Sequence, residues 1–60
     1  MGALLEKDIK TLDFPLGHIM MEYKNGDVLH EYFVSQTELI GYTKDNSIKK
    51  ISILKENADL

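Results

Sequence analysis

Between His18 and Val34 two stretches rich in apolar positions, Ile19-Met20-Met21 and Val28-Leu29 with Tyr32-Phe33-Val34, lie on either side of the polar Lys24-Asn25-Gly26-Asp27, and no other stretch has its local structure so strongly dictated. Asn-Gly is the strongest short hairpin signal, because a two-residue type I′ turn needs positive φ at both central positions and these residues tolerate it best. Such a turn sets Lys24 opposite Asp27, Tyr23 opposite Val28, Met21 opposite His30 and Ile19 opposite Tyr32. One face then carries Ile19, Met21, Tyr23, Val28, His30 and Tyr32 and is expected to be the core. The other carries His18, Met20, Glu22, Lys24, Asp27, Leu29, Glu31 and Phe33. The opposite charges of Lys24 and Asp27 beside the turn favour this register. A lone hairpin is marginal in water, so further elements or a partner must cover it.

Upstream, Leu5, Ile9 and Leu12 recur at helical spacing and predict a short helix over residues 3–12. Phe14-Pro15 ends it, since the residue before proline is pushed out of the helical region, and Gly17 frees the chain to turn into the first strand. Downstream, Ser35-Gln36-Thr37 reads as a turn and residues 38–43, with Leu39, Ile40 and Tyr42, as a third strand. Lys44-Asp45-Asn46-Ser47 is the next turn. Residues 48–54 form a fourth strand with Ile51 and Ile53 inward and Lys50 outward, an edge protected by charge. Residues 56–60 are polar and expected to fray. The sum is an α+β, mainly β fold in a single small domain. A short N-terminal helix precedes a four-stranded antiparallel meander over residues 18–55, lying flat or curled into a partial barrel.

Length and composition change this picture in two ways. A chain of 60 residues buries only about 60% of the surface its unfolded form exposes. Cores of that size rarely supply more than about 3–5 kcal/mol, and there is no cysteine to add a disulfide or a thiolate metal site. Self-association is the remaining common remedy, so a homodimer is expected. The net charge of −3 disfavours nonspecific grasp of a phosphate backbone. No apolar run approaches the ~18 residues of a membrane span, and Met1 to Leu16 lacks the pattern of a signal peptide, so a cytoplasmic location is expected.

Candidate chemistry is sparse. The expected register puts the two histidines on opposite faces, so they would not share a metal. His18, Glu22 and Glu31 would share one face, as a hard metal or acid–base cluster or simply as a solvated surface. His30 is expected as a hydrogen-bonded core or rim residue. The aromatics Tyr23, Tyr32, Tyr42, Phe14 and Phe33 serve a small core before they serve as a platform for bases. Lys44, Lys49, Lys50 and Lys55 form the only local basic excess. No serine sits in a nucleophile-elbow context and no glycine cluster is built to cradle phosphate, so neither a catalytic residue nor a cofactor is assigned.

The order of helix, strand, Asn25-Gly26 turn, long strand, third strand, polar turn and the terminal IKKISIL resembles the Sm-like RNA-binding proteins. That resemblance implies a small nucleic-acid-binding barrel that assembles into rings. The glycine that bends the second strand in that family is absent, with Glu31 standing about there, and its Tyr-Lys-His RNA-contacting motif has no match, so no binding residue is carried over. The preferred expectation is a non-enzymatic protein–protein interaction module, an inhibitor or regulator of the kind found in phage and mobile elements. Met20, Glu22, Leu29, Glu31 and Phe33 would be its interface, for a partner protein or for the homodimer. A small-ligand-binding oligomeric barrel is the third expectation.

Overall fold

The computed structural model describes residues 6–58. Among them one sheet contains three antiparallel strands, β1 (His18–Tyr23), β2 (Val28–Glu31) and β3 (Ile48–Lys55), in the order β2-β1-β3. A single helical turn, α1 (Glu6–Ile9), precedes the sheet, and a helix, α2 (Gln36–Thr43), lies between β2 and β3. The chain leaves β2 at one edge, passes through α2 and returns as β3 on the far side of β1. The expected helix followed by a four-stranded meander is therefore not the fold, and the Sm-like comparison loses its third strand.

That third strand, over residues 38–43, is α2. Its start is a capping box. Ser35 is extended (φ −76°, ψ 164°), its Oγ accepts from the Glu38 N–H at 3.1 Å, and Glu38 Oε1 accepts from the Ser35 N–H at 3.0 Å. Two otherwise orphaned donors are satisfied reciprocally, which fixes a helix where side-chain alternation alone reads as strand. Leu39 is fully buried, and Ile40 and Tyr42 pack beside it against the core.

The helix expected over residues 3–12 begins outside the described residues. Inside them only Glu6–Ile9 is helical, followed by 3.2 Å turn bonds from Thr11 N–H to Asp8 O and from Leu12 N–H to Ile9 O. Its contribution is Ile9, which is buried with Leu16, Ile19, Met21, Val34, Leu39 and Ile48 in one cluster. The expected fraying fails for the described end of the tail. Asn57 N–H donates to Asp13 O at 3.1 Å and Ala58 N–H to Pro15 O at 2.7 Å, and Ala58 is buried.

The hairpin forms, but one residue out of the expected register. Ile19 pairs with Glu31, Met20 with His30, Met21 with Leu29 and Glu22 with Val28. Gly26 N–H donates to Tyr23 O at 2.9 Å and Tyr23 N–H to Asp27 O at 2.8 Å, which makes a three-residue loop, a tight turn followed by a glycine bulge. Only Gly26, at φ 97°, takes positive φ there; Asn25 does not. The Asn25 side chain supplies the reason. Its Oδ1 accepts from the Asp27 N–H at 2.9 Å and its Nδ2 donates to Asp27 Oδ2 at 3.0 Å, locking the longer loop.

The two glycines of known backbone role are expected to respond with opposite signs. A Cβ at Gly26 meets nothing within 4 Å, so Gly26→Ala suffers only backbone strain and should lose about 1–2 kcal/mol in urea unfolding. Gly41, in α2 with equally open space and ordinary φ, should gain about 0.5–1 kcal/mol as Gly41→Ala.

Candidate functional site

β1 is hydrogen-bonded on both sides, which leaves β2 and β3 as the free edges of the sheet. The two edges differ in chemistry. β3 carries Lys49, Lys50 and Lys55, all exposed, and long charged side chains on an edge oppose pairing with another chain. β2 carries no lysine. Along it and just past it Val28 is 52% exposed, Leu29 42%, Tyr32 57% and Phe33 66%. Leu29 lies on the core side, sharing a face with Met21, yet α2 leaves it uncovered; Val28 lies on the outer side. Ladder alternation starting from the Tyr23–Asp27 bond turns the backbone groups of Leu29 and Glu31 toward β1 and those of Val28 and His30 toward the open edge.

Phe33 ends this edge in the left-handed region, at φ 55°. An exposed aromatic residue held there is strained without any burial to offset the cost. Val34, next in the chain, drops into the core and exchanges hydrogen bonds with Leu16, at 2.8 and 3.0 Å, so the strained residue marks where the chain turns from edge to core. At the other end of β2, an open depression of about 350 Å³ is lined by Tyr23, Asp27, Val28 and Leu29.

On the outer face the shifted register brings both histidines together. His18 Nε2 and His30 Nδ1 are 2.8 Å apart, one donating and the other accepting, and the Tyr32 ring stacks on His18 with centroids 4.6 Å apart and planes 15° from parallel. The expectation that the histidines lie on opposite faces is thus overturned. On the core side, burial of the Tyr42 hydroxyl, then the charges of Glu31, Glu38 and Tyr23, hold its pKa above the usual phenol value.

The five residues expected to form one interface do not share a face. Met20 and Glu22 are half-buried on the outer side, opposite His30 and Val28, whereas Leu29 and Glu31 lie on the core side and Phe33 stands at the corner. What unites Leu29, Glu31 and Phe33 is the β2 edge. Val28 and Tyr32, assigned to the core by the type I′ register, belong to that edge instead. The His18, Glu22 and Glu31 cluster is not assembled, because Glu31 is on the opposite face, and no group of three or more such ligands exists among the described residues. The lysines of β3 and the aromatics beyond β2 lie across the sheet from one another, and Lys50 is paired in register with Glu22. No helix among the described residues is long and apolar enough to cross a membrane. Comparison with protein-family models, with curated proteins and with solved structures finds no match to this chain.

The strain at Phe33 separates stability from contact. Phe33→Gly is expected to stabilise the fold by about 0.5–1 kcal/mol, by removing the left-handed penalty at little cost in burial. Chemical denaturation of the two proteins side by side checks this, and an unchanged or lowered midpoint refutes it.

Proposed function

We propose that this protein is a non-enzymatic binding module, an inhibitor or regulator of another protein, that takes an extended segment of its partner as an added strand along β2. The observation that carries this reading is the β2 edge itself, unpaired, with one exposed apolar residue on each face, Val28 and Leu29, and lacking the lysines that guard β3. Strand addition draws affinity from main-chain bonds and specificity from alternate side chains, which is what the outward backbone of Val28 and His30 and the flanking Leu29 and Tyr32 offer.

Charge favours a partner of different sequence over a second copy. Asp27 precedes the strand and Glu31 ends it, and the chain is acidic. Two copies of β2 paired antiparallel about Leu29 set Asp27 opposite Glu31, a like-charge pair, and pairing about His30 sets Leu29 against a carboxylate. A segment with alternating apolar and basic residues meets neither obstacle.

The test uses a synthetic peptide of alternating valine and lysine, titrated into isotope-labelled protein. The amides of Val28 and His30 are expected to shift and to exchange with solvent more slowly. Val28→Pro removes an outward donor without breaking a bond to β1, so it should keep the fold while weakening the peptide at least about tenfold. Perturbation confined to β3, or full-strength binding by Val28→Pro, overturns the reading; a concentration-dependent dimer protecting the same amides makes a second copy the occupant.

A further inference from the structure

We propose that His18 and His30 form a bidentate imidazole site for a late first-row divalent cation, with Zn²⁺ as the probe. The proposal stands on geometry independent of strand addition. The 5.0 Å separation of the ring centroids is close to the greatest that a 2.8 Å nitrogen contact permits, so Nε2 of His18 and Nδ1 of His30 face each other almost head-on. A single proton lies between them. A cation takes its place when the donating imidazole moves that proton to its other ring nitrogen, so both facing nitrogens become acceptors and no net proton is released.

The movement required is a change of separation and a turn of each ring by roughly 35°, because nitrogens that now face each other head-on must converge on the ion at a tetrahedral angle. Zinc–nitrogen bonds of about 2.0–2.1 Å at a tetrahedral angle separate two ligands by about 3.3 Å, roughly half an ångström more than the present contact. His30 is exposed and His18 half-buried, so torsions of the side chains supply the change without moving the strands. Tyr32, stacked on His18, pre-orients that ring. Two nitrogen ligands without a carboxylate or thiolate select zinc, copper or nickel over magnesium or calcium, and water fills the open positions. The outer face also carries Glu22, which attracts a cation, and Lys50, while Lys55 pairs in register with His18 and opposes one. The ion would bridge β1 to β2 and so brace the hairpin from outside.

Zinc chloride titrated at neutral pH, followed by the histidine ring resonances, tests the site. Both rings are expected to shift together to a saturating 1:1 endpoint, with the thermal midpoint rising, and magnesium to do neither. His18→Gln and His30→Gln should each weaken zinc at least about tenfold, while the metal-free midpoint, measured first, shows that each variant is folded. The proposal is overturned if neither ring shifts, if one ring still binds at full strength when the other is replaced, if magnesium acts equally, or if zinc doubles the mass by bridging two molecules.

Discussion

Everything in this fold hangs on β1, which among the described residues is the one strand hydrogen-bonded on both sides. Its inward residues Ile19 and Met21 are fully buried, and Leu16, just before it, and Leu39 and Ile48 close over them. Among the described residues the buried cluster holds seven side chains, and truncating one typically costs about 2–5 kcal/mol, the scale of the whole stability of a domain this small. There is little core to spare for the edges. α2 packs beside β3 and sends Leu39 into the core, while Val28, Leu29 and His30 of β2 are left exposed.

The same shortage explains why part of the structure was legible from sequence and part was not. The inward face of β1 is readable because burial is complete there, and the strand at Ile48–Lys55 because isoleucines alternate with polar residues. The register of β2 is not readable that way. A slip of one residue normally exposes a hydrophobic face and is penalised, but Val28 and Leu29 are both exposed, so burial hardly distinguishes the two registers. The decision falls to the turn, where Asn25-Gly26 serves either a two-residue loop or the last two positions of a three-residue loop. The Asn25–Asp27 bonds select the second.

That residues 36–43 form a helix and not a strand has a different cause. Leu39, Ile40 and Tyr42 satisfy a short apolar run as well as they satisfy a helix, and Gly41 weakens the helical pattern. The deciding signal was present in Ser35-Gln36-Thr37-Glu38, a capping-box sequence that a turn assignment absorbs without using its glutamate. Local capping chemistry outweighed side-chain alternation here, because the sixteen residues joining an edge strand to the opposite edge must cross the sheet, and a helix among them does so while pairing its own backbone.

Both candidate surfaces follow from the one-residue shift. In the type I′ register His30 and Tyr32 would face the core with Ile19, and β2 would offer solvent a charged, mixed face. The longer loop turns them outward, where Tyr32 meets His18 and the two imidazoles share a proton across the strands. It also places Glu31 beneath the sheet near Tyr42. An edge with hydrophobic residues on both faces is a liability that a small protein ordinarily blunts, as the lysines of β3 do on the other side. Its persistence on β2, ended by a strained and exposed Phe33, is the physical asymmetry from which a binding role is argued, and it arises from loop chemistry three residues long.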